Sequence, residues 1–464
     1  MQTGLVGDPL ESVGQVAVKI DRVDPPKLIH RTKSLVFVEG RCLEQLRGEI
    51  DVALGDTVVR ASRIGGRFEA MLTADLGLAP GTHRVRATLR AARADYVDER
   101  YVAVGAADHP LKFPTPPAQG QEPLVGICLA TYEPRADLFL RQVESIREQR
   151  HQAFVCVVAD DGSSRDVWDR IQEIVADDAR FLCSRAPSRL GFYRNFERCL
   201  GLIPRDADFI AFADQDDFWH REKLSTLVDA ITKTAAALVF SDMRLVDDSG
   251  QLLSSTFWAH AQNNTTRLDD LLLTNTVTGA SSLFRRELVD VALPFPPDVA
   301  GSYHDHWIAC VALATDGISY VDAPLYDYVQ HSSNASGRVV LSGRYEGGLG
   351  RILRRALLSP WLTTRRGFSH ASTTYRNDAL RLELFARTLE NRLGDRLRPR
   401  DAKVVRRAAR VLESPEAFFW LLGRSLRDIH GRGVTLGTEN NLLKTILWRR
   451  AHAGLRRVRL RRPV

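Results

Sequence analysis

Three carboxylates lie within four positions of the segment "FIAFADQDDFW", at Asp214, Asp216 and Asp217. Carboxylates held this close repel one another and cost stability unless a cation or a proton relieves them. The spacing of Asp214 and Asp216 lets both side chains reach toward one region of a loop, and hard cations such as Mg²⁺ and Mn²⁺ prefer such oxygen ligands. The segment therefore indicates a divalent metal site. The structural alternatives are a solvated loop, or an N-cap for the next helix. Asp217 is expected to be that cap or a partner of the metal-binding residues rather than a metal ligand.

Two other apolar runs also end in polar residues. "LVGICLAT" leads into Thr131, Tyr132 and Glu133, and "AFVCVVADDGS" contains Asp160 and Asp161. Acidic residues followed by glycine and serine supply hydrogen-bond acceptors and a tight turn. Each segment alone is equally compatible with an ordinary turn after a strand.

Two further segments contain candidate proton acceptors or ligands. In "SYHDHWIACVALATDG", Asp305 lies between His304 and His306 and opens an apolar helical pattern. The structural interpretation is a helix cap flanked by surface histidines. His331 and Asn334 follow a predicted strand in "YVQHSSNASG", where a histidine is more often structural than a ligand.

The elements that would position these residues alternate between strands and helices over residues 123–340. This alternation predicts an α/β domain with a mostly parallel, Rossmann-like sheet and right-handed crossovers. Ligands of such sheets bind beyond the carboxyl ends of the strands. The polar clusters follow three of the predicted strands, so we expect them to meet at that edge.

The flanking regions have other patterns. Short β-rich runs separated by turn signals predict an all-β sandwich of immunoglobulin type over residues 1–108. A proline-rich linker occupies 109–122, and residues 341–464 have a helical pattern with 28 basic and 10 acidic residues. The final segment, 442–464, mixes basic and large apolar residues, which suits an anionic membrane surface better than nucleic acid.

The bulk composition sets limits on the class of protein. The chain has 464 residues, with 44% hydrophobic and 26% charged residues, as expected of a globular protein with two or three domains. The six scattered cysteines are typical of reduced core thiols. Neither a signal peptide nor an apolar run long enough to span a bilayer is visible. We therefore expect a cytoplasmic protein, peripheral at the inner face of the membrane; its oligomeric state is left open.

The ordered combination of motifs resembles the family 2 glycosyltransferases of the GT-A fold. The segments that carry the resemblance are "ICLATYEP", "VVADDGSS", "RLGFYRNF", "FADQDDFW", "NTVTGASSLF", "HDHWIA" and "YVQHSSNASG". They extend from about Pro123 to Gly337 and are most similar to the bacterial rhamnosyltransferase-like branch. The N-terminal β-region and the basic C-terminal region lie outside the resemblance.

The resemblance implies a role for each matching residue. Residues implied to bind the nucleotide sugar are Thr131, Tyr132 and Glu133 at the base and ribose, Asp160 or Asp161 at the base, and Gly191, Arg194 and Asn195 near the diphosphate. Residues implied to bind Mg²⁺ or Mn²⁺ are Asp214, Asp216 and His331. The implied catalytic base is Asp305; the aromatic residue usual after it is His306 here.

This resemblance implies an inverting, metal-dependent glycosyltransferase. It would move a sugar from a nucleoside-diphosphate sugar to a hydroxyl of a cell-surface glycan or lipid-linked acceptor. The branch suggests rhamnose, while a UDP-hexose is also open. The alternatives are a nucleotidyltransferase acting on a sugar phosphate, for which "ATYEPRAD" lacks the expected glycine-rich loop, and a non-catalytic glycan-binding protein of the same fold.

Overall fold

A computed structural model of the chain describes residues 17–25, 27–29, 34–43, 46, 48–64, 66–74, 78–92, 94–105, 122–258, 263–299, 302–331, 375–429, 435 and 438–447. The described residues up to Ala107, with Pro296–Asp298, form one compact unit. Those from Glu122 to Phe295 and from Val299 onward form another. Most of the predicted linker 109–122 and the predicted boundary at 340 lie outside the described residues, as does Asn334.

The N-terminal unit consists of two sheets that share one apolar core. Its strands are β1 (Val18–Asp24), β2 (Lys27–Ile29), β3 (Ser34–Cys42), β4 (Gly48–Leu54), β5 (Thr57–Arg60), β6 (Ser62–Ile64), β7 (Arg67–Ala74), β8 (Gly81–Ala91) and β9 (Asp95–Gly105). The sheet orders are β1-β3-β7-β6 and β2-β9-β8-β4-β5. Alternate residues of these strands point inward, among them the fully buried Val36, Phe68 and Leu89. The immunoglobulin-type assignment stays a prediction.

The second unit is built on a nine-stranded sheet. Its elements up to residue 330 are β10 (Val125–Thr131), α1 (Ala136–Arg147), β11 (Phe154–Asp160), α2 (Arg165–Val175), β12 (Phe181–Arg185), α3 (Phe192–Leu202), β13 (Phe209–Ala213), β14 (Phe218–Trp219), α4 (Lys223–Lys233), β15 (Leu238–Asp247), β16 (Leu252–Ser254), α5 (Leu268–Leu271), a 3₁₀ turn (Gly279–Ser281), β17 (Ser282–Arg285), α6 (Leu288–Ala292), α7 (His304–Ala314) and β18 (Ile318–Gln330). The main strand order is β12-β11-β10-β13-β17-β15-β18-β14, and β16 pairs with β15.

This sheet is mixed, which corrects the prediction of a mostly parallel sheet. The first four strands of the order are parallel, as the alternation of strands and helices predicts. Strand β17 is antiparallel to both of its neighbours, β13 and β15. Strands β15 and β18 are parallel, and β14 is antiparallel to β18. The physical reason is that no full crossover helix precedes β17, so the chain returns to the sheet in the opposite direction.

Two apolar layers cover the sheet. Helices α1, α2 and α4 contribute to one buried cluster, which includes Phe139, Ile171 and Leu227. Helices α3 and α7 contribute to the other, which includes Phe196 and Ile308. The central strands are consequently buried on both faces; every residue of β11 is buried, for example.

The described part of the C-terminal region is helical and packs on the second of these layers. It contains a π-helical turn (Tyr375–Leu380), α8 (Arg381–Leu393), α9 (Pro399–Ala408), α10 (Pro415–Ile429) and α11 (438–447). Phe385 of α8 packs edge-on against Trp307 of α7, with ring centres 5.2 Å apart. Much of the basic sequence, 341–374 and 448–464, lies outside the described residues. Among the helices that are described, none is long and apolar enough to cross a membrane.

Candidate active site

The carboxyl ends of β10, β11 and β13 meet at one edge of the sheet. Thr131 pairs in register with Asp160, and Leu129 pairs with Ala213, the residue before Asp214. The Thr131 hydroxyl donates to Oδ1 of Asp160 at 3.3 Å. The structure therefore brings together three segments that were singled out by their polar residues.

The segment after β10 is tied to both neighbouring loops. The Tyr132 N–H donates to Oε1 of Gln215 at 2.8 Å, inside the aspartate segment. The Glu133 N–H donates to the Ser163 hydroxyl at 2.8 Å, and the Glu133 carboxylate accepts the Ser164 N–H at 2.6 Å. Tyr132 and Glu133, which are predicted to bind the nucleotide, thus hold the neighbouring loops together through their backbone N–H groups and the Glu133 carboxylate.

Asp160 stabilises the turn that follows β11. Its Oδ2 accepts the N–H groups of Gly162 and Ser163 at 3.1 and 2.9 Å, and its Oδ1 accepts the Ser163 hydroxyl. The side chain is fully buried. Both oxygens of the Asp160 carboxylate therefore accept hydrogen bonds within the turn that directly follows β11.

Asp161 instead fixes the segment that enters α3. Its Oδ1 accepts the Leu190 N–H at 2.6 Å, and its Oδ2 accepts the Gly191 N–H at 2.9 Å. Burial raises the pKa of Asp161, and the two amides oppose that rise. Gly191 has φ 86°, a conformation that favours glycine, and directly precedes the first residue of α3.

Asn195 and Arg194 lie on the first turns of α3 and make contacts within the protein. The buried Asn195 side chain donates to the Ala159 carbonyl at 2.7 Å, which ties α3 to β11. Arg194 forms an ion pair with Glu197 and donates to the Phe295 carbonyl at 3.4 Å. A role of Arg194 at the diphosphate stays a prediction, and it would require the guanidinium to leave or share this ion pair.

The aspartate segment after β13 combines three acidic groups in low-dielectric surroundings. Burial, and then the charges of Asp216 and Asp305, raise the pKa of Asp214 to about 7. Burial also raises the pKa of Asp216, while a 2.7 Å hydrogen bond from His331 Nε2 opposes the rise. His331 comes from the end of β18, so the sheet brings together the residues predicted to bind metal.

The fit of a divalent cation rests on two carboxylates. Within the described residues, no three His, Cys, Asp or Glu side chains are arranged as a metal cluster. Asp214 and Asp216 fit a cation that takes one or two carboxylates from the protein and further oxygens from substrate phosphates. His331 Nε2 is bonded to Asp216, so its predicted role as a direct ligand would require that bond to break.

Asp217 does not cap the next helix, so that interpretation is wrong. Helix α4 begins at Lys223 with Glu222 at the N-cap position. Phe218 and Trp219 intervene as β14, which pairs with β18. Asp217 is buried, and its Oδ1 accepts the Val329 N–H at 3.4 Å.

Lys223 is a fully buried cation that sequence reasoning missed. Its ammonium donates to the Ala280 carbonyl and lies 3.5 Å from the Trp219 ring centre and 4.7 Å from that of Tyr326. Burial lowers the pKa of Lys223, and the charge of Asp217 opposes this. A lysine at the start of an otherwise apolar helix face was the available signal.

Asp305 lies in the first turn of α7 and is held by three N–H donors. Oδ1 accepts Asn275 Nδ2 at 3.1 Å and the His306 N–H at 2.6 Å, and Oδ2 accepts the Gly279 N–H at 3.1 Å. Burial raises the pKa of Asp305 to about 6, while the backbone amides of His306 and Gly279 oppose the rise. The group is thus a carboxylate that titrates near neutrality.

The two histidines that flank Asp305 are buried, which corrects their interpretation as surface residues. Burial lowers the pKa of both to about 3, so both rings are neutral. His306 Nε2 contacts the Leu271 carbonyl at 2.6 Å. His304 stacks on Phe196 with ring centres 3.6 Å apart.

Known proteins match part of the region that forms this site. Residues 127–292 match the family model described as Glycosyl transferase family 2. The putative teichuronic acid biosynthesis glycosyltransferase TuaG of Bacillus subtilis is 25% identical over 179 residues, covering 37% of this chain and 67% of TuaG. The UDP-Glc:alpha-D-GlcNAc-diphosphoundecaprenol beta-1,3-glucosyltransferase WfaP of Escherichia coli is 31% identical over 105 residues, covering 23% of this chain and 40% of WfaP.

Solved structures are also similar over much of the chain. S. aureus TarS 1-349 in complex with UDP-GlcNAc is 15% identical, with a TM-score of 0.37, covering 70% of this chain and 91% of that one. Mannosyltransferase PcManGT from Pyrobaculum calidifontis in complex with GDP-Man and Mn²⁺ is 16% identical, with a TM-score of 0.36, covering 73% and 91%.

The family match contains the ends of β10, β11 and β13 and the aspartate segment, whereas Asp305 and His331 lie beyond it. The relatives are covered unevenly, since the chain spans about two thirds of TuaG but well under half of WfaP. Both relatives are named as glycosyltransferases. Residues 127–292 therefore match a Glycosyl transferase family 2 domain, and the predicted enzyme class, a glycosyltransferase, is confirmed.

Proposed function

We propose that this chain is an inverting, divalent-metal-dependent glycosyltransferase that uses a nucleoside-diphosphate sugar. The observation that carries the proposal is the electrostatic proximity of Asp305 to Asp214: the charge of Asp305 contributes to the raised pKa of Asp214. A carboxylate that titrates near neutrality thus lies within electrostatic range of one of the two carboxylates, Asp214 and Asp216, that suit a metal diphosphate. This is the arrangement needed to activate an acceptor hydroxyl beside a departing diphosphate.

Asp305 acts as the general base in this proposal. Its Oδ1 accepts two N–H donors, whereas its Oδ2 accepts only the Gly279 N–H among the described residues. Oδ2 therefore keeps a lone pair that can take the proton of the attacking hydroxyl. The new bond forms on the face of the sugar opposite the leaving diphosphate, so one displacement inverts the anomeric configuration.

Asp214 and Asp216 are the residues that would hold Mg²⁺ or Mn²⁺. A divalent cation held by these two carboxylates would offset the negative charge that develops on the departing diphosphate. The roles of this chain's own residues are to fix the two carboxylates: β13 delivers both of them, and His331 orients Asp216 by its hydrogen bond. The third predicted ligand, His331, acts here by orienting Asp216.

The relatives indicate the chemical class of the donor and of the acceptor. WfaP is named for a UDP-Glc donor and a diphosphoundecaprenol-linked acceptor, and TuaG for teichuronic acid biosynthesis. We propose a nucleotide sugar as donor, with Thr131, Tyr132 and Glu133 at the nucleotide side, and a cell-surface or lipid-linked glycan as acceptor. Rhamnose and a UDP-hexose are both consistent with the site.

The cellular location is part of the same proposal. A lipid-linked acceptor would place the enzyme at the inner face of the membrane, and the basic segment 442–464 carries eight Lys and Arg residues and no acidic ones. Such a segment is attracted to anionic lipid by about 1 kcal/mol per basic residue near the surface. The structure describes this segment only as far as Leu447.

A nucleotide-release assay tests the enzymatic proposal. The protein is incubated with Mn²⁺ and one donor at a time: UDP-glucose, UDP-N-acetylglucosamine, GDP-mannose or dTDP-rhamnose. The nucleoside diphosphate released from each donor is then measured. We expect release from at least one donor, abolished by EDTA and lowered at least about 100-fold in Asp305→Asn, with donor binding by calorimetry retained. Release that EDTA leaves undiminished would remove the metal, and loss of donor binding in Asp305→Asn would overturn the base assignment.

A further inference from the structure

Exposed apolar side chains occur beside the candidate base. Phe192, the first residue of α3, is 44% exposed, and Tyr303, the N-cap residue of α7, is 38% exposed. Their ring centres lie 5.5 Å apart with the planes at 39°. Two aromatic rings that contact each other and still face solvent form a continuous apolar surface, which we name the Phe192–Tyr303 platform. Exposed apolar surface of this kind marks binding sites more often than isolated exposed residues do.

The platform is held by a buried carboxylate. Asp161 uses both oxygens to accept the N–H groups of Leu190 and Gly191, immediately before Phe192. Gly191 has a positive φ, which sets the direction in which the chain enters α3. The backbone that presents Phe192 is therefore fixed from β11, and Asp161 acquires a role that differs from its predicted contact with the nucleobase.

The platform is packed into the same layer as the base. Tyr303 precedes His304 and Asp305 in sequence, and the His304 ring lies edge-on to Phe192 and stacked on Phe196. His304 and Asp305 both approach Gly279, where an added Cβ would lie 2.7 Å from His304 Nε2 and 3.4 Å from the Asp305 Cβ. The rings and the carboxylate thus belong to one contiguous set of side chains on α3, α7 and the Gly279 turn.

His304 lies in the middle of this set and keeps unused polar groups. It is 7% exposed, its pKa is lowered by burial, and neither ring nitrogen has a hydrogen-bond partner among the described residues. A buried polar group without a partner costs on the order of 1–3 kcal/mol and calls for an explanation. The neutral imidazole can donate to or accept from a hydroxyl that binds next to Asp305.

We propose that the Phe192–Tyr303 platform binds the acceptor, with the C–H face of a pyranose ring packed on the two aromatic rings. This inference rests on the proposed function, because it needs Asp305 as the base that receives the acceptor's hydroxyl proton. Aromatic faces carry partial negative charge and attract the polarised C–H groups of a sugar, while the hydroxyls around the ring edge stay free for polar partners. The occupant is therefore a saturated sugar ring.

The nucleobase of the donor is the competing occupant, and the geometry favours the acceptor. The predicted nucleotide side, Thr131–Glu133, has its own ring, Tyr132, and the Arg189 guanidinium already covers that ring at 4.1 Å. Phe192 and Tyr303 instead adjoin His304 and Asp305, the residues on the side of the attacking hydroxyl.

Saturation-transfer NMR on the full chain tests the platform without knowledge of the natural acceptor. The probes are methyl α-L-rhamnopyranoside, methyl β-D-glucopyranoside and methyl N-acetyl-α-D-glucosaminide, each with UDP and diamagnetic Mg²⁺ present. We expect transfer to the ring protons of at least one probe and a roughly five- to tenfold weaker affinity in the Phe192→Ala/Tyr303→Ala double variant. UDP signals should be unchanged.

Two matched variants complete the design. Tyr303→Phe keeps the ring and should keep probe binding. Leu252→Ala/Leu253→Ala removes two exposed apolar side chains from β16, 53% and 51% exposed, and should also leave binding intact. Equal probe affinity in the platform variant and the unmodified protein, or absence of any probe signal in the unmodified protein, overturns the inference. Loss of UDP binding in the platform variant also overturns it and assigns the rings to the nucleobase.

Measuring nucleoside-diphosphate release alongside probe binding distinguishes failure of this inference from failure of the proposed function. Diphosphate release with water as acceptor needs the donor, the aspartate pair and Asp305, but not the platform. Release that persists in the Phe192→Ala/Tyr303→Ala variant with probe binding lost supports the acceptor role. Probe binding that depends on the platform in a protein that releases no diphosphate from any donor would leave a glycan-binding site and overturn the acceptor assignment together with the enzymatic proposal.

Discussion

Nε2 of His331 lies 2.7 Å from Oδ2 of Asp216, which joins the end of β18 to the loop after β13 across the sheet edge. The bond distinguishes two carboxylates that look equivalent in the sequence. Asp216 has a hydrogen-bond donor that favours its charged form, while Asp214 has none of this kind among the described residues and its pKa reaches about 7. Asp214 is therefore the member of the pair whose pKa is raised to about 7, whereas the hydrogen bond from His331 opposes the rise in the pKa of Asp216.

Replacing His331 tests whether this residue binds the metal directly or positions Asp216. His331→Gln weakens the support of the charged form of Asp216, so the pKa of Asp216 should rise. We expect Mn²⁺-dependent UDP binding, measured by calorimetry, to weaken roughly tenfold at pH 6.5 and less at pH 8, because a higher pH favours the charged form of Asp216 in both proteins. An equally large loss at both pH values would instead support His331 as a direct metal ligand.

Asp214 should make the metal-free protein less stable as the pH rises. Its folded pKa of about 7 lies above the unfolded value near 3.8, so the folded state binds this proton more tightly. The associated stability is complete below about pH 4 and is lost as the pH rises through 7. In EDTA, we expect the Tm to fall between pH 5 and pH 8, and Asp214→Asn to reduce that fall by a few degrees.

The control for this experiment is Asp229→Asn, because Asp229 is 71% exposed on α4 of the same unit. That variant should retain the full pH dependence of the unmodified protein. Saturating Mn²⁺ should raise the Tm of the unmodified protein more at pH 8 than at pH 6, since a protonated carboxylate competes with the metal. A Tm that is independent of pH in EDTA would contradict the burial of the aspartate pair.

The sequence predicted the strands that deliver the site better than it predicted the sheet. Strands β10, β11 and β13 are apolar runs of five to seven residues bounded by turn residues, and periodicity identifies such runs. The direction of β17 and the pairing of β14 with β18 depend on contacts between residues about 70 to 110 positions apart. No local pattern contains that information, so the mixed order of the sheet was missed.

The same distinction applies to the candidate site. Asp214, Asp216 and Asp305 were found because acidic residues after apolar strands or before an apolar helix are conspicuous in a sequence. Lys223 and Asn275 act through a carbonyl at Ala280 and a carboxylate at Asp305, and such partners cannot be predicted from spacing. Arg194 is different, because Glu197 three residues later on the same helix was a visible sign of the ion pair.

The pH dependence of turnover should follow Asp305. A general base must be ionised, so kcat/KM should rise tenfold per pH unit below about 6 and level off above it. Asn275→Ala removes a donor from Oδ1, which disfavours the charged form and should move this acid limb to higher pH. Asn441→Ala, at an exposed position on α11, should leave the limb in place. An acid limb that does not move in Asn275→Ala would contradict the hydrogen bond as a determinant of the base.

Lys223 should be required for both stability and turnover. Lys223→Met keeps the length of the side chain but removes the amino group, which leaves the Ala280 carbonyl without its donor. Leaving a buried acceptor without its donor costs on the order of 1–3 kcal/mol, so urea unfolding should show a loss of that size. Because Ala280 follows the Gly279 amide that donates to Asp305, kcat should fall more than donor affinity.

Lys233→Met, at a 74% exposed position on the same helix, should change neither quantity by more than a small amount. If Lys223→Met lost no stability and kept its kcat, the buried ammonium would have no part in holding the base.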